Sequence, residues 1–108
     1  MEFKKVIAII RPEFLQGVEE RLHRMSVKGI TLSKVEGHGE KKALLSKGWL
    51  VSHVKVEIFT AKDKAEKIAN AIMEVAHTGG PGDGIISILP VEKVFKIRTK
   101  SETTPDEI

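Results

Sequence analysis

Residues 4–13 read KKVIAIIRPE, a stretch in which a strand pattern passes directly into a helix start. Residues 4–11 alternate and are rich in valine and isoleucine, which predicts a β-strand. Pro12 followed by Glu13 is typical of the first turn of a helix, where the missing proline N–H costs nothing. The helical spacing that follows predicts a buried face containing Phe14, Val18, Leu22 and Met25.

The remaining elements follow in an order that defines a fold class. Alternating patterns predict further strands at 30–36, 51–59, 85–89 and 94–98. A second helix between the third and fourth strands has an apolar face made of Ala65, Ile68, Ala69, Ile72, Val75 and Ala76. Thr60 and Asp63 predict a capping box at its start. The order predicts an α+β, ferredoxin-like βαββαβ sandwich with an extra C-terminal strand.

The length of 108 residues fits a single domain, 1–108, with one core. Within it, residues 40–52 are polar and basic without a clear period, which predicts a flexible loop, and residues 100–108 form a polar C-terminal tail. Two of the predicted strands have apolar side chains on both of their faces, but the helices cover only one face of the sheet. The other face therefore favours burial by self-association.

Composition limits the function classes. The sequence has no cysteine, which excludes disulfides and cysteine nucleophiles and fits a reducing compartment. The apolar run 6–10 is too short for a signal-peptide core or a membrane-spanning helix, so we expect a cytoplasmic protein without membrane insertion. The net charge is +3, but basic and acidic residues alternate, which argues against a nucleic-acid binder. No nucleophile and base have a spacing that suggests an enzyme.

Several motifs in chain order resemble the PII signal-transduction family. They are Ala8-Ile9-Ile10-Arg11-Pro12, Gly29 with Thr31, Gly37-His38-Gly39, Val54-Lys55-Val56-Glu57-Ile58, Thr78-x-x-x-Gly82-Asp83-Gly84 and Ile97-Arg98-Thr99. The resemblance spans nearly the whole chain, and its most specific element is the turn 78–84. It implies a homotrimer, not an enzyme, that binds ADP, AMP or ATP between subunits without a catalytic cofactor. It also implies a regulated target, either a membrane transporter or a metabolic enzyme.

The resemblance assigns two sets of residues. Those implied in nucleotide binding are Gly29, Thr31, Gly37, Gly39, Glu57, Phe59, Gly82, Asp83, Gly84, Lys96 and Arg98. Those implied in the target-binding loop are Glu40, Lys41, Lys42, Leu44, Leu45, Lys47 and Trp49. Trp49 has a second interpretation, as an anchor for the base of the loop.

The residue types suit this chemistry. Gly82 and Gly84 allow backbone N–H groups to approach phosphate, and Asp83 can fix the turn by accepting local hydrogen bonds. Lys96 and Arg98, two apart on a predicted strand, would project from one face towards phosphate. Each feature also has a structural alternative: an ordinary turn, an edge strand protected by charge, and, for Glu57, a cross-strand pair with a lysine.

The sequence departs from the family pattern at several positions. Ile85 and Glu40 stand where the family has basic residues, and Lys96 replaces an arginine. We therefore expect no preference for ATP over ADP or AMP. Lys41 and His53 replace residues that the family uses for 2-oxoglutarate, and the absence of tyrosine excludes uridylylation of the shortened loop. A divergent branch associated with bicarbonate or metal transport fits these changes as well as a nitrogen regulator does.

The alternative function is a trimeric metal-binding or metal-tolerance module. Its support is the pair His38 and His53 at the two ends of the loop. Two histidines without a third organised ligand make a weak metal site.

Overall fold

The computed structural model describes residues 2–37 and 51–108. Four antiparallel strands form the main sheet in the order β2-β3-β1-β4. Their bounds are Phe3–Ile10 for β1, Thr31–Gly37 for β2, Val51–Ala61 for β3 and Gly84–Val91 for β4. A 3₁₀ turn, Pro12–Phe14, leads into α1 (Leu15–Arg24), and α2 (Lys62–Ala76) follows β3. This arrangement confirms the α+β, ferredoxin-like fold.

The core lies between one face of the sheet and the two helices. Every second residue of β1 and β3 faces it, because side chains alternate along a strand. The buried cluster contains Val6, Ala8, Ile10, Val18, Leu22, Val54, Val56, Ile58, Ala65, Ile68, Ile72 and Ala76. The two helices pack on the same side, where Arg21 Nη2 lies 2.5 Å from Glu74 Oε2.

The opposite sheet face, which we call the open face, contains the strand residues that alternate with the core-facing ones. Phe59 on β3 is 41% exposed and Leu89 on β4 is 38% exposed, while Ile7 and Ile9 on β1 are half-buried. Neither α1 nor α2, the two helices in the described ranges, covers these apolar side chains in a single chain. The two-sided apolar pattern of the sequence thus corresponds to an accessible apolar face.

The start of α2 differs from the prediction. β3 extends through Thr60, which is only 7% exposed, to Ala61, and Ala61 is the N-cap residue without a side-chain hydrogen bond. The predicted capping box of Thr60 and Asp63 is therefore wrong. The amide of Lys62 instead donates to the carbonyl oxygen of Glu2 at 3.0 Å, so tertiary contact satisfies this helix donor. At the other end of β3, residues 51 and 52 belong to the strand and not to the predicted loop.

The C-terminal strand is shorter than the sequence predicted. β5 contains only Phe95–Lys96 and pairs with β6 (Ser101–Glu102) in a separate two-stranded ladder, while residues 97–100 form a turn. The following residues include Thr103, which is buried and whose amide donates to Val94 O at 2.9 Å. A 3₁₀ turn, Pro105–Glu107, ends the chain. Among the described residues, no helix has the length and apolar character needed to cross a bilayer.

Candidate functional site

The turn 78–84, which we call the glycine turn, is organised by the carboxylate of Asp83. Its Oδ2 accepts hydrogen bonds from the amides of Thr78 at 2.8 Å and Gly79 at 2.9 Å, and its Oδ1 accepts one from Thr78 Oγ1. These bonds, led by that of the Thr78 hydroxyl, hold the pKa of Asp83 well below its usual range, and Arg11 adds to the effect. Asp83 thus accepts the local bonds that the sequence led us to expect.

Most amide donors of the glycine turn are used within the turn. Besides those of Thr78 and Gly79, the amide of Gly80 donates to Thr78 Oγ1 at 3.1 Å, and that of Asp83 donates to Gly80 O at 3.3 Å. Pro81 has no N–H. Between residues 78 and 83, only the amide of Gly82 has no acceptor among the parts of the chain that the structure describes. Of the two glycines expected to cradle phosphate, Gly82 therefore has an amide that is not bonded to any described residue.

Gly84 has a backbone role at the entry to β4. Its φ is +102°, a conformation that residues with a Cβ rarely adopt. A Cβ at this position would also overlap the backbone oxygen of Ile9 on the neighbouring strand. Only glycine can therefore bring the glycine turn into pairing with the end of β1.

Arg11 supports the glycine turn from the end of β1. Its Nε lies 3.3 Å from Asp83 Oδ1, and its Nη2 lies 3.0 Å from the point where a Cβ on Gly82 would be. The guanidinium group therefore packs directly against the turn backbone. Sequence reasoning used Arg11 only as part of a motif, although a charged residue that ends a buried strand was a signal that its side chain needs a polar partner.

His53 contacts the glycine turn from the start of β3. Its Nε2 lies 3.0 Å from Gly82 O, and its Nδ1 lies 3.5 Å from Val51 O. The sequence placed His53 in the metal alternative, but within residues 2–37 and 51–108 no three histidine, aspartate or glutamate side chains form a metal-binding group. His38 lies outside the described residues. The metal alternative is not supported.

The residues expected near the base and ribose lie around β2 and β3. Thr31 is paired with Glu57, and Phe59 follows two residues later on the open face. Glu57 Oε1 is 2.7 Å from Lys5 Nζ and 4.0 Å from Lys55 Nζ. The hydrogen bond from Lys5 is the main cause that lowers the pKa of Glu57. The cross-strand lysine pair considered for Glu57 is therefore present in the structure.

Lys5 also places its ammonium group 5.4 Å from the centroid of the Phe59 ring, within the range of a cation–π contact. The same cation thus touches two of the residues expected near the base. Any ligand that uses Glu57 and Phe59 meets side chains already fixed by Lys5.

The two C-terminal cations do not share a strand face. Lys96 is in β5 and its Nζ donates to the carbonyl oxygen of Glu107, whereas Arg98 is exposed in the turn 97–100. The prediction that both project from one strand is wrong, because the strand ends at Lys96. Arg98 remains available to solvent, while Lys96 also holds the C-terminal residues.

The predicted nucleotide-binding residues form two groups in a single chain. One groove, of about 330 Å³, is lined by Asp83 and Gly84, and another, of about 380 Å³, is lined by Gly29 and Phe59. Gly84 is on one edge strand and Thr31 on the other, so their two strands are three strand spacings, about 14 Å, apart. The structure does not bring the two groups into one cavity of the chain.

One further predicted nucleotide-binding residue, Gly37, lies at the end of the sheet where the chain leaves β2. Gly37 is the last residue of β2 and is paired with Val51. Gly39 lies outside the described residues. So do the residues expected to bind a target, which are Glu40, Lys41, Lys42, Leu44, Leu45, Lys47 and Trp49.

Comparison with known proteins identifies the family. The profile of the family described as Nitrogen regulatory protein P-II matches residues 3–101. This chain belongs to the P-II family. The Nitrogen regulatory protein P-II of Azospirillum brasilense is 40% identical over 103 residues, which cover 89% of this chain and 92% of that protein. That of Rhizobium meliloti is 39% identical over 112 residues, which cover 97% and 99%.

A plant relative and a solved structure extend the likeness. The P-II homolog of Arabidopsis thaliana is 39% identical over 106 residues, and the P-II chain described here spans 54% of its length. The crystal structure of Arabidopsis thaliana PII bound to citrate matches with a TM-score of 0.80 and 41% identity, covering 94% of this chain and 89% of that one. Sequence and fold thus agree on the P-II family.

Proposed function

We propose that this P-II protein is a regulatory sensor, not an enzyme, that binds an adenine nucleotide between the subunits of a homotrimer. The observation that carries the proposal is the division of the predicted site between the two edges of one sheet. A nucleotide that contacts both the glycine turn and the Gly29–Phe59 groove needs the two groups at one place. Two neighbouring chains can supply them, one contributing each edge.

The glycine turn suits the phosphate side of such a site. Asp83 and Arg11 hold the turn before any ligand arrives, so little backbone freedom remains to be lost on binding. Among the described residues the Gly82 N–H has no acceptor, and it lies beside the guanidinium group of Arg11. A backbone donor near a cation favours an anion such as a phosphate group.

The other edge suits the base and the C-terminal cations. Phe59 is partly exposed and offers an aromatic face. Arg98 is exposed in the turn after β5, and a guanidinium group can bind a phosphate with two parallel hydrogen bonds. Lys96 can join it only after releasing Glu107 O, which makes Arg98 the main cation of this edge.

The open face supports self-association. Ile7, Ile9 and Leu89 contribute apolar surface there, and burying that surface stabilises an assembly in proportion to its area. We propose a closed trimer in which the three open faces meet around the axis. This arrangement also places the two edges of neighbouring sheets next to each other.

We propose that a target protein, either a membrane transporter or a metabolic enzyme, distinguishes the nucleotide-free form of this protein from the nucleotide-bound form. Residues 40–50, which lie between β2 and β3 in the sequence, supply the target-binding segment in this proposal, as the resemblance implies. We place the protein in the cytoplasm, as its cysteine-free sequence suggests.

The test is a calorimetric titration of the purified protein with AMP, ADP and ATP, together with its mass from light scattering. We expect a trimer with up to one nucleotide site per subunit. A monomer at micromolar concentration, or a trimer without heat of binding for all three nucleotides, would overturn the proposed function.

A further inference from the structure

The carbonyl oxygen of Gly82 is held by a side chain from a different part of the fold. His53 Nε2 lies 3.0 Å from that oxygen, although 29 positions separate the two residues. The imidazole is partly buried, so water competes little for this bond. The contact joins the first residues of β3 to the middle of the glycine turn.

The acceptor determines the state of the imidazole. A carbonyl oxygen only accepts hydrogen bonds, so Nε2 must carry the proton that is donated. In the neutral ring this leaves Nδ1 without a proton. At 3.5 Å from Val51 O, Nδ1 is at the limit of a hydrogen bond, which agrees with an assignment of the proton to Nε2.

The Gly82 carbonyl is a position where such a bond affects the whole turn. Glycine has the widest backbone freedom of any residue, and fixing it is correspondingly costly. Asp83 restrains the peptides of Thr78 and Gly79 through its carboxylate, and the peptide that follows Gly82 is held at its N–H by Gly80 O, so among the described residues His53 supplies the side-chain bond to its carbonyl oxygen. Without His53, the peptide that follows Gly82 would lose its side-chain restraint.

We propose that His53 is a positioning residue of the nucleotide site. It holds the Gly82 peptide from β3 while Arg11 holds Asp83 from β1, and together they preset the glycine turn for a phosphate group. This inference rests on the proposed function. It adds a role for a side chain that the sequence connected only with metal or effector binding.

Two substitutions in the full-length trimer make a matched pair. The side-chain amide of glutamine reaches about as far as Nε2 of histidine, whereas that of asparagine reaches only as far as Nδ1. His53→Gln should keep ADP affinity within about two-fold of the wild type, and His53→Asn should weaken it by about five- to ten-fold, the value of one hydrogen bond. Equal ADP affinities of His53→Asn and the wild type would overturn the inference, as would an equal loss in both variants.

A measurement without nucleotide separates this inference from the proposed function. In ¹⁵N NMR spectra of the ligand-free protein at alkaline pH, the His53 ring should carry its proton on Nε2. The amide signals of Gly82 and Gly84 should match the wild type in His53→Gln and move in His53→Asn. A proton on Nδ1, or unchanged signals in His53→Asn, would refute the positioning contact even if ADP binds. Failure of the wild type to bind any of AMP, ADP and ATP would instead refute the proposed function, and with it the role of the contact in nucleotide binding.

Discussion

Arg11 Nε and Asp83 Oδ1 lie 3.3 Å apart and form an ion pair that ties the end of β1 to the glycine turn. The pair closes a network in which Asp83 also accepts hydrogen bonds from Thr78 and Gly79. One carboxylate thus fixes the turn on both sides. The behaviour of Asp83 in acid is the direct measure of this network.

Asp83 should remain ionised at pH values where an ordinary aspartate is protonated. Its pKa is lowered in the folded protein, so its contribution to stability is present above the unfolded value, about 3.9, and is lost as the pH falls through the folded value. The measurement is a ¹³C NMR titration of the Asp83 side-chain carboxyl. A midpoint at or above 3.9 would contradict the network.

The control for this titration is Asp83→Asn, which keeps the size of the side chain but has no charge to lose. Its unfolding free energy should fall less steeply than that of the wild type as the pH decreases below about 4. The same slope in both proteins would show that other carboxyl groups dominate the acid response.

Gly84→Ala should destabilise the fold by about 2 kcal/mol or more, because it combines a positive φ with overlap of the Ile9 oxygen. Gly29→Ala is the matched control. A Cβ on Gly29 meets nothing within 4 Å, and we expect a change of less than about 0.5 kcal/mol. Chemical denaturation measures both. Similar stabilities of the two variants would contradict the assigned role of Gly84.

Selectivity between nucleotides should depend on the residue that follows the glycine turn. Ile85 is 69% exposed directly after the glycine turn, where it offers no charge to an outer phosphate. ADP and AMP should therefore bind at least as tightly as ATP. The double substitution Glu40→Arg and Ile85→Lys should raise ATP affinity by more than ten-fold, about 1.4 kcal/mol, with a much smaller gain for AMP.

Calorimetry with all three nucleotides tests this selectivity. Asn70→Lys provides a control for added charge, because Asn70 is exposed on α2, away from both the glycine turn and the open face. The same gain for AMP and ATP in the double variant would point to general charge attraction. A wild-type preference for ATP of ten-fold or more would make the account of the phosphate contacts wrong.

The fold was predictable because the apolar residues of its strands and helices recur at regular intervals. The alternation in β1 and β3 and the helical spacing of α1 and α2 correspond to the buried core, except that Met25, expected on the buried face, follows the end of α1 and is 37% exposed. The sequence-based predictions were wrong where tertiary contacts determine the local structure. Thr60 has the composition of a helix cap, yet burial keeps it in β3, and the α2 amide finds Glu2 instead.

The candidate site was predictable in part. A glycine turn organised by an aspartate follows from local chemistry, so Asp83 was assigned its hydrogen-bonding role correctly. The contacts of Arg11 and His53 to the same turn join residues far apart in sequence, and no local pattern contains that information. The end of β5 before Arg98 was missed because charge alternation alone does not define where a short strand stops.

The central claim is that each nucleotide site uses the glycine turn of one chain and the opposite sheet edge of its neighbour. Two full-length variants test it. Asp83→Ala damages the glycine turn and Arg98→Ala removes the cation that we propose for the other edge, and each variant alone should bind ADP at least ten-fold more weakly than the wild type.

The deciding measurement is the number of tight ADP sites in trimers formed by refolding the two variants together in equal amounts. At an interface between neighbours, random mixing pairs an intact glycine turn with an intact opposite edge in about one quarter of cases. We therefore predict that calorimetry recovers tight binding at about one quarter of the wild-type sites. No recovery in verified mixed trimers would mean that both groups act within one chain, which would contradict the account.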